Sequence, residues 1–309
     1  MTTTQSRFEG TWAENEALMR RTAMAAVVTG GLLVTIKTVA YILTGSVALM
    51  ASLVDSALDI IVSFVNLLAI RHALTPADRE HRFGHGKAEP LAGLLQGAFI
   101  AGSTMLLVTE SMKRLITPQP LEHGMFGIVV TVVSTAAALA LVIQQHYVVR
   151  RTGSIAIKAD YLHYMADILI NIGVVIAIVL ATSFGWLIAD PIMGLLVAAA
   201  LIWSVMSIVR QSYDQLMDRE LPEEDRERIK AVVMSHPAVF DMHDLRTRAA
   251  GTRSFIQVHI EMDPALSLYR AHSIADEVEA KIRLIYPQAE IIIHQDPEGF
   301  EVPEPLAKS

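Results

Sequence analysis

The chain has 309 residues, 52% of them hydrophobic and only 18% charged, with a formal net charge of −7 and a mean hydropathy of +0.42. A soluble chain carries about 25% charged residues, so this length holds a polytopic membrane domain with a soluble appendage rather than two soluble domains. A pI near 5.9 without a basic stripe excludes nucleic acid as a partner, and zero cysteine excludes disulfide frameworks, thiolate zinc fingers, iron–sulfur clusters, cysteine nucleophiles and a thiolate-based Cu(I) carrier.

Residues 1–20 are polar, mixed in charge and unlike a signal peptide, which predicts a cytoplasmic tail over 1–21. Apolar stretches long enough to cross about 30 Å of hydrocarbon then follow at 22–44, 46–72, 88–112, 124–149, 157–182 and 186–212. They predict an α-helical transmembrane domain of six helices over 22–213. Gly45–Ser46 is a very short turn between the first two spans, Pro118 and Pro120 break the third from the fourth, and Gly185 parts the fifth from the sixth. An even number of spans puts both termini on one side. Arg20, Arg21, Arg71, Arg79, Arg82, Lys87, Arg150, Arg151 and Lys158 mark that side as cytoplasmic by the excess of base in its loops. Lys113 and Arg114 are the exception.

The last third changes character. Residues 219–309 hold 17 of the 32 acids and 11 of the 25 bases, leaving 15 and 14 for the rest of the chain. Pro222 to Ser235 has a helical period, with Glu223, Glu224 and Asp225 suited to the helix N-terminus. Val239–Arg248 and Arg253–Asp263 alternate around Gly251 as a β-hairpin. Ser267–Tyr286 is helical again and Glu290–His294 is a short strand. The order αββαβ predicts an α+β ferredoxin-like domain over 214–298, followed by a flexible tail over 299–309.

Ionisable side chains inside a membrane helix are costly and mark function. Asp55 and Asp59 lie four apart in the second span, and His163 and Asp167 lie four apart in the fifth, so each pair shares a helix face. Facing helices would bring three carboxylates and an imidazole to one point, a four-ligand oxygen and nitrogen set suited to tetrahedral Zn²⁺. Hydrogen bonding between helices would account for one such acid. It does not account for two matched pairs with a histidine, because three unneutralised carboxylates in lipid need a cation. Lys37 is expected to snorkel to the far interface, Asp160 to serve as a first-turn acid, and Asn66 and Asn171 to link helices. Gly93, Gly97 and Ala101 mark close helix packing.

After the second span, Asp78, His81 and His85 have the spacing D-x2-H-x3-H, which leaves a fourth position open for a more exchangeable metal; a solvated polar loop is the alternative. In the C-terminal domain His243, His259 and His294 fall on three predicted strands and His272 on a helix, with Asp296 close behind. They can fill a binuclear site with a bridging carboxylate, or stand as independent histidines. His72, His123, His146 and His236 are assigned structural places.

Together the D-x3-D of span two, the H-x3-D of span five, H-R-F-G-H-G-K-A-E-P, H-D-L-R-T-R and I-I-I-H-Q-D-P resemble the cation diffusion facilitators, in particular the bacterial ferrous-iron/zinc efflux branch. The motifs run in order from about Arg20 to Pro297. The resemblance implies six spans, a metallochaperone-like cytoplasmic domain and a homodimeric Zn²⁺/H⁺ antiporter in the bacterial inner membrane, exchanging protons for Zn²⁺. It implies a transport site of Asp55, Asp59, His163 and Asp167, a loop site of Asp78, His81 and His85, and a binuclear site of His243, His259, His272, His294 and Asp296 with Gln295 nearby. It also implies a pair between Lys87 and Asp218, and the histidine-rich 4–5 loop of eukaryotic relatives is replaced here by R-R-T-G-S. Fe²⁺, Cd²⁺ and Co²⁺ suit the same ligands. A metal sensor without transport is the rival, and it is disfavoured because sensing does not need a ligand site buried mid-membrane. A membrane-embedded metal-dependent enzyme is the weaker one, because H-E-x-x-H, a Walker loop and a serine elbow are absent.

Overall fold

The computed structural model describes residues 3–44, 47–117, 125–184, 186 and 188–299. The expected breaks at Gly45–Ser46, Pro118, Pro120 and Gly185, together with His123 and the tail from 300, lie outside the described residues. Six long helices come first: α1 (Thr3–Thr44), α2 (Val47–Ala73), α3 (Ala88–Ile116), α4 (Met125–Thr152), α5 (Ile155–Phe184) and α6 (Ala189–Leu216). A small α+β unit follows, with α7 (Glu223–Met234), β1 (Asp241–Ala250), β2 (Arg253–Met262), α8 (Leu268–Ile285) and β3 (Glu290–Pro297). The chain divides into compact units at Met1–Tyr213 and Asp214–Ser309.

At 1.5 Å per residue even the shortest of the six helices is about 40 Å long, more than the hydrocarbon of a bilayer. Among the described residues α1 to α4 and α6 are each apolar enough over such a length to span. The sixth, α5, carries Lys158, Asp160, His163 and Asp167 in its first half and apolar residues after it. The outward faces are apolar, with Ile42, Leu106, Ile143 and Trp203 exposed, as suits lipid and not water. This is a multi-pass membrane domain.

The first helix begins before its apolar run: α1 is helical from Thr3. That stretch has no proline and is rich in Glu, Ala, Met and Arg, all compatible with a helix. Glu16 and Arg20 pair one turn apart at 3.9 Å, and Glu14 accepts from Arg151 of α4 at 3.0 Å. Met19 is fully buried against α2, α4 and α5 side chains, so tertiary packing carries the helix outward past its apolar run.

Small residues and buried polar ties set the packing. A Cβ on Gly93 of α3 would come within 2.5 Å of Ser212 Oγ of α6 and 2.8 Å of Ile155 Cγ2 of α5. Gly97 meets α6 in the same way, at Val209. The glycine face of α3 is therefore filled from within the chain. Glu89, 1% exposed, accepts from Ser154 Oγ at 2.7 Å and from the backbone N–H groups of Ile155 and Ala156. A carboxylate from α3 thus caps the N-terminus of α5, where unpaired N–H groups favour an anion. Asn66 of α2 donates to Ala156 O at 3.0 Å, and Asn171 of α5 to Thr135 Oγ1 of α4 at 2.9 Å, so both asparagines link helices.

In the second unit β1 pairs antiparallel with β2, and β2 parallel with β3 through the α8 crossover. Gly251, at φ 63, makes the hairpin turn, a backbone conformation that glycine reaches without a Cβ clash. Ile256, Val258 and Ile260 of β2 point to the face covered by Ile229 and Val233 of α7 and Ile274, Val278 and Ile282 of α8. Ser267 caps α8 by accepting from Arg270 N–H at 3.3 Å. Glu220 accepts from both the backbone N–H (2.8 Å) and the hydroxyl of Thr247. His243, His259 and Asp296 lie on the opposite face of the sheet, away from α7 and α8.

Gly93→Ala is expected to lower the melting temperature of the detergent-solubilised protein, because overpacking at a closed helix contact costs about 1–3 kcal/mol. Gly102→Ala, where no atom lies within 4 Å of the added Cβ, serves as the silent control. Equal melting temperatures for both variants would contradict the contact.

Candidate metal centres

Three of the four acid and histidine residues of the two pairs come together in the membrane helices. Asp59 Oδ1 of α2 lies 3.0 Å from His163 Nε2 of α5. Together with Asp167, one ligand atom from each falls within 4.8 Å of the others. Ligands around a tetrahedral Zn²⁺ are about 3.3 Å apart, so small side-chain rotations suffice to enclose an ion. The rings of Tyr164 and Phe99 stand edge-on to His163, at 5.5 and 6.0 Å.

Asp55 does not join this group of three. It lies one turn from Asp59, a displacement of about 6 Å along the axis, and its side chain is more exposed than the other three. The turn that bears it is occupied by Lys37 of α1. The ammonium donates to Ser56 Oγ at 2.6 Å and Ser52 O at 3.2 Å, and lies within electrostatic reach of Asp55, Asp59 and Asp167. Lys37 therefore faces α2 instead of snorkelling. Its place follows from the α1–α2 contact, where Gly30 packs on Ile60, which periodicity alone does not report.

One turn before His163, Asp160 is buried and not a first-turn acid, since α5 starts at Ile155. It accepts from Ser63 of α2 (3.2 Å), Gln96 of α3 (3.3 Å) and Gln145 of α4 (2.7 Å). Ser63 also meets Tyr164 OH at 3.2 Å. Four helices thus share one carboxylate beside the Asp59–His163–Asp167 group.

The loop residues also converge. His81 Nδ1 and His85 Nε2 lie 3.4 and 3.3 Å from the two oxygens of Asp78. Gly84, at φ 78, turns the chain between them. The backbone N–H groups of His81 and Glu80 donate to Asp78 Oδ1 at 2.6 and 2.9 Å and hold its carboxyl below the usual range. The acid therefore stays ionised, the form that a metal needs. His72, at the end of α2, packs its ring against His85 at 4.5 Å.

In the second unit, strand register assembles the third group. His243 of β1 lies opposite His259 of β2, which lies opposite His294 of β3. The three imidazoles form one row on the face away from α7 and α8, with ring centroids 5.1 and 4.5 Å apart. Asp296, two residues beyond His294 and so on the same face, lies 2.9 Å from His259, 3.3 Å from His243 and 3.3 Å from His294. His243 Nε2 is buried and makes no hydrogen bond despite that approach, a nitrogen aimed at a carboxylate without a proton-sharing geometry. His272 is the exception. It is exposed on α8, across the sheet from the row, and pairs with Asp276 at 3.7 Å. Glu261, 3.2 Å from His243, and Asp244, 3.9 Å from His259, join the edge of the group. Glu261 was findable as the next same-face residue after His259; Asp244 depends on the bulge between His243 and Arg246.

Of the other histidines, His236 is hydrogen-bonded to Glu277 (3.1 Å) at the end of α7, and His146 packs on Tyr161 at 5.6 Å. Asp218 pairs with Arg248 at 3.2 Å.

The chain's sequence matches the cation efflux transmembrane domain over residues 23–217 and the cation efflux protein cytoplasmic domain over 221–298. The chain belongs to the cation diffusion facilitator family. Facilitators similar to it include the cation-efflux pump FieF of Shewanella oneidensis, 44% identical over 277 residues covering 90% of this chain and 93% of the relative. FieF of Citrobacter koseri is 44% identical over 280 residues, covering 91% and 93%. Among solved structures, the zinc form of CzrB is 34% identical, covers 28% of this chain and 98% of its own, and has a TM-score of 0.26.

Asp296 touches all three histidines of the row, so Asp296→Ala is expected to reduce metal binding at the facilitator's cytoplasmic group more than His294→Ala does. Calorimetric titration of the full chain in an Asp59→Ala background measures this. A larger loss from His294→Ala would show that the carboxylate is not the hub.

Proposed function

We propose that this facilitator exports a divalent metal cation, Zn²⁺ in the first place, from the bacterial cytoplasm across the inner membrane in exchange for protons. The observation that carries the proposal is the convergence of Asp59, His163 and Asp167 from two helices inside the membrane domain. Three acids and one imidazole, counting Asp55 one turn away, offer only oxygen and nitrogen, which suits Zn²⁺ and also Fe²⁺, Cd²⁺ or Co²⁺. The names of the similar efflux pumps support the direction of transport.

The ligands bind metal when the carboxylates are ionised and His163 is neutral, so metal and protons compete for the same atoms. Facing the cytoplasm, the site takes up metal and gives up protons. Facing a more acidic exterior, it takes protons and releases metal. Alternating access around the fixed ligands then couples inward proton flow to outward metal flow. Lys37 supplies a fixed positive charge beside the carboxylates when the metal has left. Asp55 completes the four-ligand set by closing the one-turn gap. The loop group of Asp78, His81 and His85 and the cytoplasmic group of His243, His259, His294 and Asp296 bind further metal ions, His272 standing apart from the latter in the single chain.

The chain works as a homodimer held by its C-terminal domain, a reading supported by the match to the cytoplasmic domain of cation efflux proteins. Both termini face the cytoplasm, which follows from six spans and the distribution of base. Arg114, which runs against that distribution, is offset by Glu110 at 3.1 Å.

Purified protein in liposomes is expected to move Zn²⁺ faster under an imposed pH gradient. Tight binding with no flux under either condition would favour the metal-sensor alternative. Asp59→Ala or Asp167→Ala is expected to abolish flux while the C-terminal domain stays folded by circular dichroism, and retained flux would remove these residues from the transport site. Truncation after Asp218 is expected to shift the protein toward monomer in sedimentation while Zn²⁺ binding at the membrane site persists. Loss of that binding would show that the two units do not act separately.

A further inference from the structure

The loop group offers three ligands, and a four-coordinate metal needs one more. His72 is placed to provide it. It occupies the last turn of α2, and its carbonyl accepts from Thr75 N–H at 2.9 Å, which holds the helix end against the start of the loop. Thr75 O in turn lies 3.4 Å from His85 Nδ1, which leaves His85 Nε2 directed at Asp78. His85 is buried between two imidazoles. His81 packs on it at 4.6 Å with a 46° tilt, and His72 packs on it at 4.5 Å with a 60° tilt.

Two imidazoles bound through nitrogen to one Zn²⁺, with Zn–N near 2.0–2.1 Å, have centroids about 5 Å apart. Both separations in the loop are close to this value, and both rings are tilted rather than stacked flat. His72 is exposed, so a rotation about its side-chain torsions that turns a nitrogen toward Asp78, His81 and His85 displaces no core packing. At present its nitrogens stand outside the 4.8 Å group formed by those three.

We infer that His72 is the fourth ligand of the loop site, giving the spacing H-x5-D-x2-H-x3-H and a closed His₃Asp sphere for Zn²⁺ or a cation of similar preference. The inference rests on the proposal that the loop group binds metal. It changes the character of that site. With water in the fourth position the ion exchanges readily. With His72 there, it holds the end of α2 to the 2–3 loop as a structural clamp.

The test uses the full chain in lipid nanodiscs with Asp59→Ala and Asp296→Ala, which disable the other two groups. Zn²⁺ affinity is measured by chelator competition, and imidazoles bound to Zn²⁺ are counted by X-ray absorption. His72→Phe keeps a ring on His85 but has no nitrogen, and His72→Ala repeats the test without the ring. Both are expected to weaken binding at least tenfold and to lower the count from three imidazoles to two. Unchanged affinity and count in both His72 variants, with binding lost in His85→Ala, would overturn the role of His72 while leaving a three-ligand site standing. If the parent binds no Zn²⁺, or His85→Ala binds as well as the parent, the loop site itself fails and the inference with it.

Discussion

A carboxylate in an apolar membrane domain needs a cation or a proton, and this constraint organises the whole first unit. Asp59 and Asp167 sit with His163 at the α2–α5 contact, with Asp55 one turn away and Lys37 bonded to that turn. Unpaired, such groups cost several kcal/mol each. Their survival between two helices requires that α2 and α5 be held in a defined register. The rest of the bundle supplies the holding groups: Asn66 to the Ala156 carbonyl, Glu89 on the first turn of α5, and Asp160 shared by Ser63, Gln96 and Gln145.

These ties lie on one side of the Asp–His group, within the first turns of α5 and the facing parts of α2, α3 and α4. Beyond them α5 continues as apolar residues with Asn171 as its polar tie to α4. The polar layer therefore anchors the first turns of α5.

The two units gather their acid and histidine groups by different periodicities. On the helices a spacing of four sets two groups on one face, and an error of one residue rotates a ligand by about 100°. In the sheet the His243–His259–His294 row depends on strand register, and a slip of one residue would send His259 into the core and Val258 to the surface. The alternation of Ile256, Val258 and Ile260 against α7 and α8 penalises that slip. Hydrophobic burial on one face thereby fixes the geometry of the histidine row on the other. The loop group uses neither period, relying on a positive-φ glycine and backbone N–H groups that fix Asp78.

Hydropathy and the spacing of charged residues were enough to determine the long helices of the first unit, the αββαβ order, and the pairs Asp55/Asp59 and His163/Asp167, because each of these is local to one element. The family motifs were equally legible, since they are short and ordered along the chain. What the tertiary structure decided depends on which elements touch. Asp59 meets His163 and Asp167 while Asp55 stays one turn off, because the α2–α5 registry is set by contacts such as Asn66 on Ala156. Lys37 turns to Ser56 and Asp160 becomes a shared buried acid, because their neighbours come from other helices. His272 stands apart from the histidine row because a sheet lies between them, and His72 rests on His85 because the end of α2 folds back on its own loop. None of these contacts is encoded in a period; each is a consequence of packing between different elements.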